Sequence, residues 1–338
     1  MSYTVTVSPS GHQFTVDENE TILDAALKQG HTLPYGCRSG GCGSCKATVI
    51  EGDAGYAEGY TPQDSNFDDN EVLLCQAYAR SDVELVVREI ERAEQVSIKA
   101  LPCRVEKMQK LNHDVMQLFL KLPRNERLQF LPGQYLDFLL SDGRRRSFSI
   151  ANAPHHDEFL ELHIRYVPDG GFTQNVFNGM QEKDILRLEA PFGDFTLNMD
   201  SDLPIIFVAG GTGFAPIKGI IEHALEHNVT RPMTLYWGVR SREDLYMEEL
   251  AQQWAAEYPH FTYIPVLSEP KADDAWTGRT GFVHEAVLQD TAELMNHEIY
   301  AGGPPVMVSA AHKSFINAGL KEDCFYSDPF EWACDSPR

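Results

Sequence analysis

The stretch CRSGGCGSC places Cys37, Cys42 and Cys45 within nine residues, and LLCQ supplies Cys75 thirty positions after Cys45. Four thiolates can hold a metal, and their spacing says which. C-x4-C-x2-C with a distant fourth cysteine is the pattern of a plant-type [2Fe–2S] cluster. Such a loop must wrap its cluster and aim backbone N–H groups at the sulfides. Gly40, Gly41 and Gly43 tolerate the left-handed, close-approach backbone this needs. Zinc is the rival, but zinc sites pair two C-x2-C knuckles, and only Cys42 and Cys45 form one. A disulfide scaffold has no use for this glycine density. Cys103, Cys324 and Cys334 have no such surroundings and read as plain thiols.

Three further segments carry chemistry. RRRSFSIANAP sets Arg146, Phe148 and Ser149 along one strand, a weak signal by itself. HIRYVPDGGFTQNVF puts His163 and Arg165 on another strand, followed by a glycine turn that is expected to open a helix at Thr173. Free N–H groups at a helix start bind phosphate, and an arginine beside them suits a dinucleotide pyrophosphate. An ordinary β-turn with a capping threonine is the alternative. VAGGTGFAPIKG then places a glycine-rich loop between a buried strand and a helix, the context nucleotide binding demands. GGTGxAP is not GxGxxG, which disfavours a standard Rossmann dehydrogenase. YAGGPPVMV repeats strand, glycine turn and helix, and two such turns in one sheet can flank a nicotinamide dinucleotide.

These residues need elements to position them. YTVTV and HQFTV read as a hairpin around SPSG; TILDAALKQG reads as a helix capped by Thr21 and stopped by Gly30. KATVIEG and VELVV add strands, giving a small α+β domain over 1–92. A polar bridge over 93–102 leads to a strand-rich region, 103–199, whose short strands VMQLFLKL, QYLDFLL, SFSIAN, FLELHIRYV and ILRLEAPFG suggest an antiparallel β-barrel. From 200 to 338 the rhythm changes to buried strands, LPIIFVAGG, MTLYWGV, TYIPVL and EIYAGG, with helices between them, as in a parallel α/β domain.

Composition narrows the classes. With 338 residues, two or three domains are expected, and 43% hydrophobic residues is ordinary for a folded protein. No apolar run approaches the ~20 residues of a membrane span, and the N-terminus shows no basic, apolar leader. Seven unevenly spread cysteines argue for a reducing compartment, so a cytoplasmic protein is expected. A net charge of -22 repels nucleic acid and anionic membranes and favours basic protein partners. Seven acidic residues and no Lys or Arg lie between Glu51 and Glu71, as either a solvated loop or a docking surface. His155-His156 reads as an exposed loop pair rather than a metal site.

In order along the chain, these motifs resemble the iron–sulfur flavoprotein branch of the ferredoxin–NADP reductase superfamily. The resemblance covers essentially the whole chain, adding WTGRTGFVHEAVL and the ending FYSDPF. It implies a β-grasp ferredoxin domain, an FAD-binding β-barrel and an NAD(P)-binding α/β domain in a monomer. Carried over by position, Cys37, Cys42, Cys45 and Cys75 would ligate the cluster. Arg146 would contact the FAD phosphates, Phe148 would cover the isoalloxazine and the Ser149 hydroxyl would sit near flavin N5. Gly171, Phe172 and Thr173 would cradle the pyrophosphate, beside the Arg165 already read as its contact; His163 could line the flavin pocket, though a plain strand histidine is the simpler reading. Gly210, Gly211, Thr212, Gly213 and Pro216, with Gly303, Pro304 and Pro305, would frame the nicotinamide nucleotide. Phe330 would stand at the flavin's other face.

Two departures stand out. The family's C-terminal turn usually reads Cys-Gly-Pro, and here it is Gly302-Gly303-Pro304. NADPH-using relatives carry Ser-Arg after the strand matching TYIPVL, and here it is Ser268-Glu269. A carboxylate there repels a 2'-phosphate, whereas Arg240 or Arg242 could reach one; charge complementarity favours NADH over NADPH.

The domain set has a chemical logic. A nicotinamide gives two electrons as hydride, a [2Fe–2S] cluster takes one, and flavin handles both, so flavin stands between them. The resemblance implies a protein electron acceptor, leaning to a deoxysugar dehydratase that uses pyridoxamine phosphate, with a di-iron or Rieske oxygenase as the alternative. A redox sensor with a slow NAD site is the reading of a different class, and Gly302 is its only support.

Overall fold

The computed structural model describes residues 2–29, 31, 33–35, 40–41, 43–62, 68, 70–87, 98–124, 126, 128–156, 158–168 and 170–330. The chain divides into two units, Met1–Val96 and Ser97–Arg338.

The first unit opens with the expected hairpin. β1 (Ser2–Ser8) and β2 (His12–Asp17) pair antiparallel from Ser2 opposite Asp17 to Val7 opposite His12. Period-two alternation buries Val5, Val7, Phe14 and Val16. α1 (Ile22–Lys28) packs on β2 and buries Ile22, Leu23, Ala25 and Ala26. Its cap is the one expected: Asp24 N–H donates to Thr21 Oγ1 at 3.1 Å. Gly30, the expected stop, lies outside the described residues. β3 (Lys46–Glu51), β4 (Ala54–Tyr56), β5 (Glu71–Leu73), β6 (Ala77–Ala79) and β7 (Val83–Val86) follow. The sheet runs β2-β1-β7-β3-β5 with β1 and β7 parallel, and β4 pairs with β6 in a separate ribbon.

The second unit begins with β8 (Lys99–Lys110), β9 (Val115–Lys121), β10 (Tyr135–Leu139), β11 (Arg145–Ser149), β12 (Leu160–Arg165), α2 (Gly171–Asn178) and β13 (Ile185–Phe192). The strands form one antiparallel sheet in the order β11-β10-β13-β8-β9-β12. β8 starts inside the stretch read as a polar bridge, because Lys99 already pairs with Ala190 and Leu101 with Leu188. The helix expected at Thr173 begins two residues earlier, at Gly171. The Thr173 hydroxyl instead ties the preceding turn, receiving Val167 N–H at 3.1 Å and facing Gly170 O at 3.1 Å.

A parallel sheet completes the unit: β14 (Ile205–Gly210), α3 (Phe214–Glu226), β15 (Met233–Val239), α4 (Glu248–Glu257), β16 (Phe261–Leu267), β17 (Arg279–Thr280), α5 (Val283–Asp290), β18 (Glu298–Gly303), α6 (Pro305–Asn317) and β19 (Phe325–Pro329). Its order is β17-β16-β15-β14-β18-β19. β14 is buried on both faces, which is why its sequence is an unbroken apolar run. Phe207 and Ala209 pack with Ile217, Ile220 and Trp254, while Ile206 and Val208 pack with Ala286, Val287, Ala311 and Phe315. Strand order reverses between β14 and β18. A crevice at the carboxyl ends of strands beside such a switch is where open α/β sheets bind ligands, and both glycine turns end there. Among the described residues no helix is long and apolar enough to cross a membrane.

Candidate functional site

Cys45 precedes β3 and Cys75 follows β5, so the pairing of Lys46 with Leu73 draws the two thiols together. Both are buried and not joined by a disulfide, with Sγ atoms 3.3 Å apart. Two thiols at that distance suit half of a four-cysteine ligand set. Gly40 adopts φ +87°, a left-handed backbone that favours glycine, and a Cβ there would sit 1.9 Å from the Tyr60 hydroxyl. These donors and this tight loop fit a [2Fe–2S] cluster. Cys37 and Cys42 lie outside the described residues. Cys103 makes the contrast: burial in the β-sheet core pushes its thiol up to about 12, as befits an inert side chain.

Arg146 and Phe148 share one face of β11. Phe148, half-buried, meets Phe172 at the start of α2 and Phe138 of β10, with centroids 5.5 and 5.9 Å away. The Phe148–Phe172 contact therefore brings the Arg146 strand and the helix start together. A side chain at Gly171 would meet nothing within 4 Å, which leaves that first turn open for an incoming group. A half-exposed aromatic, a cation and an open helix start fit the flavin and diphosphate of FAD. Ser149 ends the strand buried, its Oγ donating to Asp328 Oδ2 at 3.0 Å. Asp328 belongs to β19, so the serine assigned to the flavin is held by the nucleotide sheet.

At the switch point two glycine turns interlock. A Cβ on Gly213 would lie 1.9 Å from Gly302 O, and one on Gly302 would lie 3.0 Å from Gly213 O. The loop Gly210–Gly213 is braced by Trp237, whose Nε1–H donates to Gly211 O at 3.0 Å and whose ring stacks on Phe214 at 4.0 Å. Thr212 is buried in it. Pro216 stands in the first turn of α3, where no helical N–H is lost, and Pro304 and Pro305 open α6 in the same way. Phe330, half-buried, donates its N–H to Gly303 O at 2.8 Å, which anchors it to the same turn.

Arg165 and His163 share a face of β12 that turns toward the nucleotide sheet. Arg165 Nε donates to Asp114 Oδ2 at 2.8 Å, and its Nη1 lies 3.3 Å from where a Gly211 side chain would start. It thus stands beside the Gly210–Gly213 loop. His163, a candidate for the flavin pocket or a plain strand histidine, has both nitrogens bonded to protein, Glu161 at 2.9 Å and Tyr246 at 3.0 Å. Arg240 lies 3.8 Å from Asp114 and 3.7 Å from Asp244, and its carbonyl receives Glu269 N–H at 2.8 Å. Arg240 and Glu269, two of the residues expected to bear on NADH against NADPH, are therefore neighbours at the carboxyl ends of β15 and β16.

A buried ion network underlies both sites. Lys218 of α3 sits 3.0 Å from Glu161 of β12, 2.8 Å from Glu222 and 3.2 Å from Ala151 O. Burial opposes the charge on Glu161, but hydrogen bonds from His163 and Gln117 and the Lys218 ammonium override it, holding the carboxyl well below its usual range. Burial likewise works against Lys218, and Glu161 and Glu222 override it to raise the ammonium. Burial lowers His163 and keeps it neutral, with Nε2–H donated to Glu161. Burial keeps Tyr246 protonated, so its hydroxyl donates to Nδ1.

Motif reading singles out none of Asp328, Glu161, Lys218 and Asp114, although FYSDPF contains Asp328 and VAGGTGFAPIKG contains Lys218. Lys218 does leave a trace, as the one cation in the apolar run FAPIKGII. Glu161 leaves another, between the core residues Leu160 and Leu162.

Comparison with known proteins adds three matched domains. Residues 5–80 match a 2Fe-2S iron-sulfur cluster binding domain, 102–197 an oxidoreductase FAD-binding domain and 207–313 an oxidoreductase NAD-binding domain. The chain is 41% identical to the CDP-6-deoxy-L-threo-D-glycero-4-hexulose-3-dehydrase reductase of Yersinia pestis, over 98% of this chain and 99% of that one. It is 33% identical to a reductase component of terephthalate 1,2-dioxygenase from Comamonas, over 98% of each. Among solved structures, an Amycolatopsis cytochrome P450 reductase matches with a TM-score of 0.81 at 30% identity, over 97% of this chain and 98% of that one.

Proposed function

The chain belongs to the iron–sulfur flavoprotein reductases of the ferredoxin–NADP reductase superfamily, and we propose that within this family it is an NADH-dependent reductase serving a deoxyhexulose dehydratase. It is an oxidoreductase that moves electrons from NAD(P)H through FAD to a [2Fe–2S] cluster. The observation carrying the finer reading is the 41% identity, along the whole chain, to the Yersinia dehydrase reductase.

In this reading residues 1–92 hold the cluster on Cys37, Cys42, Cys45 and Cys75. Residues 103–199 hold FAD, with the six-stranded sheet curling toward a barrel; the tie from Ala151 N–H to Glu161 O, 2.8 Å, supports that closure. Residues 200–338 hold the nucleotide. Bound FAD supplies the step from two-electron hydride chemistry to single electrons that a cluster can take. The chain supplies position. Arg146, Gly171 and Thr173 hold the diphosphate, and Phe148 covers one flavin face while Phe330 covers the other. Ser149, fixed by Asp328, presents its hydroxyl to the reacting edge. The interlocked turns at Gly213 and Gly302 admit the nicotinamide closely because neither bears a side chain. Glu269, against the 2'-phosphate position, favours NADH.

Glu51, Asp53, Glu58 and Asp68 are exposed in the unit that carries Cys45 and Cys75, which suits a basic docking face on an acceptor protein. The reductase is taken to act as a cytoplasmic monomer. The Comamonas relative supports a second reading, an oxygenase reductase component. Anaerobically reduced protein should be mixed, in separate stopped-flow runs, with a CDP-6-deoxyhexulose-3-dehydrase carrying its sugar and with an oxygenase component. Faster cluster reoxidation by the dehydrase supports the proposal, and faster reoxidation by the oxygenase overturns it.

A further inference from the structure

Three histidines that the electron-transfer chemistry does not use converge on one point of the second unit. His223 and His227 are four residues apart at the carboxyl end of α3, which sets both rings on one helix face, centroids 3.9 Å apart. His155 comes from the short turn Pro154–His156 between β11 and β12, with its ring 6.2 Å from His223 and 6.0 Å from His227. One nitrogen from each of the three lies within 4.8 Å of the others.

The surroundings favour a cation. His227 Nδ1 donates to His223 O at 2.9 Å, so Nε2 carries the free lone pair. That is the tautomer and the carbonyl anchor typical of a metal-bound imidazole. His223 Nδ1 is buried and has no hydrogen-bond partner among the described residues. Burial lowers His155, so its imidazole is held as a neutral ligand, and Glu226 adds negative charge at the same end of the helix. His155-His156 read as a solvated pair in the sequence because nothing local shows that α3 will bring two more imidazoles to it.

We propose that His155, His223 and His227 form a binding site for one zinc-class divalent cation, completed by water. Three neutral nitrogen ligands suit Zn2+ and its borderline neighbours and not Mg2+ or Ca2+, which take oxygen. On a tetrahedral ion with bonds of ~2.0–2.1 Å the nitrogens stand about 3.4 Å apart, so small ring rotations close the site. The ion staples the segment after β11, which carries the flavin-side Ser149, to the helix whose other end begins at the Gly210–Gly213 loop. Its role is to hold these two segments together, since none of its ligands touches the residues assigned to the cofactors.

The test uses tag-free holoprotein, freed of loose metal by brief chelation, with flavin and cluster absorbance verified intact. Zn2+ is titrated by calorimetry, and the melting temperature is followed with and without zinc. The proposal expects about one equivalent bound, weakened at least about tenfold in His155→Gln and in His227→Gln, and a zinc-dependent rise in melting temperature that both variants lose. Co2+ should give a visible ligand-field spectrum that the variants also lose. Unaltered flavin and cluster spectra, and unaltered NADH turnover without added metal, establish that each variant is folded. Binding equally tight in both variants overturns the proposal, as does no saturable binding to the parent or binding that displaces iron from the cluster.

Discussion

The Ser149 hydroxyl donates to the Asp328 carboxylate at 3.0 Å across 179 residues of chain, joining the end of the flavin-side strand β11 to the last strand of the nucleotide sheet. The bond fixes a hydroxyl that would otherwise rotate freely at the point where the two halves of the unit meet. Ser149→Ala and Asp328→Asn should each slow NADH-dependent flavin reduction by about tenfold or more while changing KM little, because the contact orients reacting groups rather than holding the nucleotide. Anaerobic single-turnover kinetics check this, and a purely structural role would instead lower the melting temperature with the rate intact.

The close approach of Gly213 to Gly302 leaves no room for a methyl group. In Gly213→Ala the new Cβ would lie 1.9 Å from a backbone oxygen, which cannot swing aside as a side chain can. A loss of about 1–3 kcal/mol in stability is expected, with a raised KM for NADH and an unchanged cluster spectrum. Gly302→Cys meets Gly213 O at 3.0 Å. A few tenths of an ångström of adjustment should accommodate it, so its defect should be milder.

Lys218 is the buried cation shared by the buried Glu161 and the half-buried Glu222. Lys218→Met removes the ammonium facing Glu161 and Glu222, leaving Glu161 only its bonds to His163 and Gln117, and should cost about 3–5 kcal/mol by chemical denaturation, with Glu161→Gln added to it restoring part of the loss. The pH dependence follows in sign. The folded Glu161 carboxyl is held below its unfolded value, so its contribution is complete above about pH 4.3 and fades as acid protonates it at lower pH. Glu161→Gln should flatten the acid limb of the stability profile below that point. An unchanged limb would show that Glu161 is not charged in the fold.

Glu269 N–H binds the Arg240 carbonyl at 2.8 Å, so a charge change at 269 acts where Arg240 already stands. Glu269→Arg should raise kcat/KM for NADPH relative to NADH by about tenfold, or about 1.4 kcal/mol. Steady-state assays with an artificial electron acceptor measure the ratio, and no change would move the selectivity to Arg240 or Arg242.

Local pattern carried most of the architecture. The β1–β2 hairpin, the Thr21 cap and the all-apolar β14 are short-range features, legible because alternation, capping and unbroken burial each leave a mark within a few residues. The cysteine spacing did the same for Cys45 and Cys75. Contacts that join distant segments were not legible. Asp328 looks like any strand carboxylate until β19 is laid beside β18 and brought to Ser149. His163 could be placed on its strand but not matched to Tyr246, and Arg165 could not be aimed at Gly211 without the packing of two sheets. The start of α2 shifted from Thr173 to Gly171 because the threonine hydroxyl binds the turn from inside the helix, a geometry that a cap-based reading puts two residues late.

An anaerobic titration with NADH, then NADPH, following flavin and cluster absorbance together, tests the relay most directly. The account predicts that NADH bleaches both chromophores and that Cys42→Ser retains the flavin change while losing the cluster change. Bleaching of the flavin alone in the parent protein, or of neither chromophore by either nucleotide, would contradict it.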